Sequence, residues 1–315
     1  MKRFTCALTL GLLTVLLTFC SPMQNPTPRP HKETSLRIVA YATDAIIMDL
    51  IPYDKLTHIN YSFLIPNADG TFASLNNGWK LKSIAETAHS QDVLVSIAVG
   101  GWGWDAEFEQ MASDAGARAT FVKNLTDVVN EYRLDGVDID WEYPDPGESS
   151  QNYLELMKEL RAALPAKLIS TAVIGSGDDT GAAIPNEVFP IVDYVNVMTY
   201  DGPQHGTMAE FKEGLSYWSG RGVPKEKINM GTPFYSRPGE VSYSKLVKQD
   251  PAAAQLDMFE YSGVMQNYSG IPTTQAKTRL AMQSAGGIMF WALDHDAQGE
   301  YSLVNAMYQE ANKGP

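Results

Sequence analysis

The chain has 315 residues and a mass of 34.6 kDa, 44% of them hydrophobic and 19% charged, which excludes a disordered or charge-driven protein. Its formal net charge is −13. Residues 1–35 hold Lys2, Arg3, Arg29 and Lys32 against Glu33, leaving 20 basic and 36 acidic residues in the remainder, a surplus that repels a phosphate backbone and argues against nucleic acid as a partner.

In chain order, the first predicted element is an export signal. Lys2 and Arg3 precede Ala7 to Phe19, an apolar run of 13 residues, long enough for a signal core and too short to span a bilayer. Leu17-Thr18-Phe19-Cys20-Ser21 then resembles a bacterial lipobox, whose cysteine is lipidated and becomes the new N-terminus. Phe19 stands where a small residue is usual, and the alternative is an ordinary cleaved signal with an incidental cysteine. Cys6 and Cys20 are both in the first twenty residues, so the rest has no disulfide available. An unpaired exported thiol is a liability, which favours a lipid anchor at Cys20. Residues 21–35, with four prolines, read as an extended tether. The expected organisation is a signal over 1–20, a tether over 21–35 and one domain over 36–315. The expected location is the cell envelope, anchored to the outer membrane through Cys20, or the secreted fraction.

Eight short apolar runs rich in β-branched residues follow, at 36–41, 58–63, 93–99, 136–140, 168–173, 194–198, 228–232 and 287–291. Segments of helical period lie between most of them, among them 121–133, 153–164, 210–218 and 273–284. Runs such as 93–99 lack clean alternation, as expected of parallel strands covered on both faces. Eight strand–helix repeats predict an α/β fold, a (β/α)8 TIM barrel forming a single catalytic domain, for which about 250 residues are typical. A doubly wound open sheet is the rival, but no Gly-rich phosphate loop follows the first strand. In a barrel, chemistry sits at the C-terminal ends of the strands.

The fourth strand ends in Asp135-Gly136-Val137-Asp138-Ile139-Asp140-Trp141-Glu142-Tyr143-Pro144. Side chains alternate along a strand, so Asp138, Asp140 and Glu142 point one way, about 6.6 Å apart at each step of two. Ile139 and Trp141 point the other way. Three carboxylates inside a barrel must hydrogen-bond or share protons, and stacking them raises the pKa of at least one. A general acid working near neutrality needs that shift. With 37 acids in the chain, the spacing alone fits a solvated edge strand equally well. The same residues, however, resemble the DGxDxDWEYP signature of glycoside hydrolase family 18, the chitinase family, at every defined position and on the strand where that family carries it.

The resemblance continues through His58-Ile59-Asn60-Tyr61-Ser62-Phe63, Gly100-Gly101-Trp102, Met198-Thr199-Tyr200-Asp201, Gly231-Thr232-Pro233-Phe234-Tyr235 and Gly286-Gly287-Ile288-Met289-Phe290-Trp291, in family order over about residues 36–300. Two positions depart from it. Ala98 stands where the family often has a serine that hydrogen-bonds the inner aspartate, with Ser96 one pleat deeper. Ser236 stands where a glycine usually follows the tyrosine.

The resemblance implies a retaining, substrate-assisted mechanism in which the sugar's own N-acetyl carbonyl attacks the anomeric carbon. It implies Glu142 as the acid, Asp140 as the anion on the acetamido nitrogen, Asp138 sharing a proton with Asp140, and Tyr200 as donor to the acetamido carbonyl. It implies sugar contacts from Trp291 as the floor and from Asp201, Tyr235, Phe63, Trp102 and Tyr41, the last also able to satisfy Asp138. Trp104 is open between platform and packing, and Trp79 is unassigned. Asp135 reads as structural, and Trp141 and Trp218 read as core. No histidine pair has ligand spacing and no H-E-x-x-H occurs, so neither a metal nor a cofactor is expected.

Two function classes follow. One is an exported, endo-acting glycosidase on β-1,4-linked N-acetylglucosamine, working as a monomer on its glycan and touching membrane only through an anchor. The other is a non-catalytic lectin on the same barrel. Lectin-like relatives usually lose the glutamate that is present here at Glu142, which favours the enzyme. An endo-β-N-acetylglucosaminidase or a peptidoglycan hydrolase stays open, although Trp141-Glu142-Tyr143-Pro144 looks more like the chitinase branch. Many chitinases insert a domain before the last strand. Here the 54 residues 233–286 must supply a rim loop, a helix at 273–284 and the return, while an independent domain needs at least about 50 residues of its own. The groove is therefore expected to be open.

Overall fold

A computed structural model describes Met1 and residues 36–75, 77–177 and 179–313. The expected signal, tether and Cys20 lie outside the described residues. The strands are β1 (Arg37–Thr43), β2 (His58–Leu64), β3 (Leu94–Gly100), β4 (Gly136–Asp140), β5 (Leu168–Ile174), β6 (Tyr194–Met198), β7 (Ile228–Pro233), β8 (Met258–Tyr261), β9 (Val264–Asn267) and β10 (Gly287–Trp291). All but β8 and β9 close into one parallel barrel, with β10 between β7 and β1. Each expected strand is present, shifted by at most two residues at an end.

Helices α1 (Gly78–Ser90), α2 (Asp105–Ser113), α3 (Ala115–Glu131), α4 (Glu148–Ala163), α5 (Met208–Gly220), α6 (Tyr243–Gln249), α7 (Ile271–Ser284) and α8 (Leu303–Ala311) surround it. Several of them start on side-chain caps. Asp114 accepts from the Ala117 amide at the start of α3, and Thr207 accepts from the Glu210 amide at the start of α5. Each helix buries one stripe against the strands, such as Phe121, Leu125 and Val129 on α3. Burying such a side chain stabilises the fold by about 1.5–3 kcal/mol.

The barrel interior is unlike this outer core. Asn60, Ser96, Asp138, Ser170, Asn196 and Asn229 are all buried there, and buried polar groups must find partners. Arg37 Nε donates to Asn229 Oδ1 at 3.0 Å, Asn229 Nδ2 to Asn196 Oδ1 at 2.8 Å, and Asn196 Nδ2 to Asp138 Oδ1 at 2.9 Å. This chain runs from the start of β1 to the first inward carboxylate of β4. Above it, Val39, Tyr41, Ala98, Ala172, Met198 and Met289 form a second, small apolar cluster lined by Phe63, Tyr143, Tyr200 and Trp291.

The stretch 233–286 holds more than a loop, a helix and a return. It contains α6, the antiparallel hairpin β8–β9 and α7, which begins at Ile271. Ser262 and Gly263 close the hairpin at φ 52° and 81°, the left-handed pair that a tight two-residue hairpin turn requires. That Ser-Gly pair was the signal for the hairpin.

Candidate active site

Asp138 and Asp140 face inward on β4 at 0% and 3% exposure, while Ile139 and Trp141 pack toward the helices. Trp141 stacks on Phe108 with ring centroids 5.1 Å apart and donates its indole N–H to Asp105. Glu142 follows the strand and is half-buried beside Tyr143.

Asp138 is fully dressed. Its Oδ2 accepts from the Tyr41 hydroxyl at 2.6 Å, and its Oδ1 accepts from Ser170 Oγ at 2.6 Å and Asn196 Nδ2 at 2.9 Å. Asp140 is not, since its buried Oδ1 has no hydrogen-bond partner among the described residues. Donors from β1, β5 and β6 thus reach both Asp138 oxygens. Register accounts for the donors. Ala98 and Ser170 are the partners of Asp138 on its two neighbouring strands, so the hydroxyl missing from β3 is supplied by β5. Ser96 pairs one pleat deeper with Gly136.

Burial pushes all three carboxyls upward. For Asp138, hydrogen bonds from Ser170, Tyr41 and Asn196 oppose the rise. Asp140 lacks those donors, and burial followed by the charges of Glu142 and Asp138 drives it well above the usual carboxylate range. Glu142 is pushed up to about 7 by burial, with a hydrogen bond from Tyr143 pulling down and the charge of Asp201 pushing up. A group that both gives and takes a proton at neutrality needs such a value.

Around these carboxyls stand the ends of β2, β6, β7 and β10. The Tyr200 hydroxyl contacts Met289 Sδ at 3.9 Å, a weak acceptor. Trp291 is half-buried, stacks on Phe63 at 5.3 Å and meets Tyr41 edge-on at 5.9 Å. Asp201 Oδ1 receives Nε and Nη2 of Arg237, each at 2.8 Å. Gly100 lets β3 close against β4. At φ 105° its absent Cβ would lie 2.4 Å from the Asp140 carbonyl oxygen, so a side chain there would push the strands apart.

Residues 37–296 match the sequence profile of the glycosyl hydrolases family 18. The chain belongs to this family.

Two solved chitinases align with most of the chain. A chitinase from the chitin utilization locus of Flavobacterium johnsoniae is 27% identical, with a TM-score of 0.76 over 89% of this chain and 95% of its own. A chitinase from Bacteroides thetaiotaomicron is 28% identical, with a TM-score of 0.79 over 88% and 97%. A probable endochitinase of Caenorhabditis elegans is 29% identical over 247 residues, which make up 65% of this chain and 40% of that relative. The family 18 chain is a chitinase-like glycoside hydrolase.

Within this family 18 barrel, Asp140, Glu142, Tyr200 and Trp291 sit at or just past the C-terminal ends of their strands, with Asp138 one pleat deeper. Tyr41 differs from its place among the sugar contacts. It is 2% exposed and its hydroxyl is committed to Asp138, so it supports the carboxylate instead. Phe63 backs Trp291. Trp102, at 79% exposure, stands free on the rim after β3, whereas Trp104 is half-buried. Trp79 is exposed and Trp218 fully buried. Asp135 lies at the other end of β4, bonded to His89 and the Val95 amide, as a structural residue would be. Ser236 is buried, and its hydroxyl ties the β7 loop to Gln266 of β9 at 2.9 Å. Sequence reasoning missed Ser170, Asn196, Arg237 and His205. The first two were legible as inward by strand alternation. The other two are loop residues whose partners lie on a different strand end.

Proposed function

We propose that this family 18 hydrolase is an exported chitinase that cleaves β-1,4-linked N-acetylglucosamine chains with retention, using the substrate's acetamido group as nucleophile. One observation carries the reading. Among the described residues, Asp140 Oδ1 has no hydrogen-bond partner and the Tyr200 hydroxyl meets a thioether. One accepts an N–H and the other donates to a carbonyl, the two functions an acetamido group presents. The chitinases of Flavobacterium johnsoniae and Bacteroides thetaiotaomicron support the same substrate class.

The Asp140 and Glu142 carboxyls oppose each other's ionisation, so one proton is shared between two sites. An acetamido N–H arriving at Asp140 favours its ionised form and leaves the proton on Glu142. Glu142 then protonates the glycosidic oxygen as that bond to the anomeric carbon breaks. The acetamido oxygen, oriented by Tyr200, forms the new bond and gives an oxazolinium whose positive charge Asp140 offsets. Water deprotonated by Glu142 opens the ring on the same face, which restores the acid and retains configuration. Trp291 offers a flat floor for the sugar, with Asp201 and Tyr235 at its rim.

On a long soluble chitin derivative, viscosity should fall ahead of reducing ends, with the β-anomer formed first. Disaccharide from the outset at constant viscosity would overturn endo cleavage, and release of glycans from N-glycoprotein or peptidoglycan in preference to chitin oligomers would overturn the substrate. Anchoring at Cys20 is part of the proposal. Cys20→Ser should move the protein from the membrane fraction to the soluble one, and unchanged fractionation would favour a plain secreted form.

A further inference from the structure

We propose that His205 is a positioning residue that joins the loops after β6 and β7 and so fixes how Asp201 faces Glu142. This rests on Glu142 being the acid. His205 is 5% exposed, in the turn between β6 and α5. The Asp201 amide lies 3.0 Å from Nδ1, and the Tyr235 carbonyl oxygen lies 3.0 Å from Nε2. An amide N–H can only donate and a carbonyl can only accept, so Nδ1 carries a lone pair and Nε2 the proton. The partners thus select one neutral tautomer, and its ring packs edge-on against Tyr235 at 5.0 Å.

The link matters because of what Asp201 does. Its backbone is left-handed at φ 68°, a conformation unfavourable to a residue with a side chain, and the bond to His205 pins its amide there. Its carboxylate receives Arg237 on one side and pushes up the proton affinity of Glu142 on the other. The rest of the turn is tied elsewhere. The Gly202 and Gly206 amides donate to Glu210 on α5, and the Gly206 carbonyl accepts from Ser269. Arg237 joins the two loops through side chains at the surface, and His205 joins their backbones beneath it. The titratable groups around the ring are Asp201 and Glu210 on its own side and Tyr235 and Arg237 on the β7 loop.

The test compares His205→Leu with His205→Gln in the full-length enzyme on chitin oligomers. Leucine should lower kcat/KM roughly tenfold, since a misplaced contact set is costly. It should also shift the basic limb of the pH profile toward acid by about half a unit, as Asp201 moves off Glu142. Glutamine offers a carbonyl to the Asp201 amide and an N–H to the Tyr235 carbonyl, and should restore most of both. A leucine variant with wild-type kcat/KM and an unmoved limb would overturn the proposal, as would a glutamine variant as impaired as leucine. If leucine does not fold, His205→Ala, which offers neither bond, takes its place with the same expectations. Glu142→Gln serves as the control. Full activity there would refute the acid assignment, whereas inactivity there with an unmoved leucine profile refutes the role of His205 alone.

Discussion

Glu142→Gln should lower turnover about a thousandfold while oligosaccharide binding survives, because proton transfer by a positioned group contributes typically 10²–10⁴. The amide keeps the shape of the side chain beside Tyr143 and loses only the transferable proton. In the wild type the same proton sets the basic limb. With Glu142 pushed up to about 7, kcat/KM should fall as pH rises through that value. The substitution should move stability in the opposite sense to activity. A carboxyl whose folded pKa is raised is destabilised by ionisation, so its cost is absent below the unfolded value near 4.5 and complete above about 7. Denaturant unfolding should therefore show the variant more stable than wild type at pH 8, by up to about 3 kcal/mol, with the gap closing toward pH 4. Wild-type turnover in the variant, or a stability gap that widens toward acid, would sink the assignment.

The sequence was most legible where one physical rule acts along the chain. Buried parallel strands read as β-branched runs, and strand parity places Asp138, Asp140 and Trp141 on the faces they occupy. It was less legible where partners come from different strands. Ala98 lacks a hydroxyl, and only the barrel's register shows that Ser170, the opposite neighbour of Asp138, provides one. The same holds for Tyr41, whose hydroxyl turns inward to Asp138. Loops were the least legible. His205 and Arg237 acquire meaning only when the ends of β6 and β7 are brought side by side, and the Ser262-Gly263 turn sits within a stretch whose exposed Met258, Val264 and Met265 do not read as a half-buried strand pair.

Asp140→Asn should lower kcat by about a hundredfold or more with little change in KM, the loss expected when one electrostatic stabiliser of a transition state is removed. The amide carbonyl of asparagine can still accept the acetamido N–H, so ground-state binding is kept. What disappears is the negative charge that offsets the oxazolinium, and that charge matters only as the ion forms. The pH profile supplies a second readout. Glu142 owes its raised value to burial and to Asp201, whereas the upward push on Asp140 includes the charge of Glu142. The two carboxyls oppose each other's ionisation, so a neutral asparagine at 140 removes one charge that holds the proton on Glu142. The basic limb of kcat/KM should therefore move toward acid in Asp140→Asn, while kcat drops at every pH. An unmoved limb would mean that burial and Asp201, without Asp140, hold the proton on Glu142. A pure KM effect would mean that Asp140 binds the acetamido group without stabilising the ion, and substrate assistance would lose its main support.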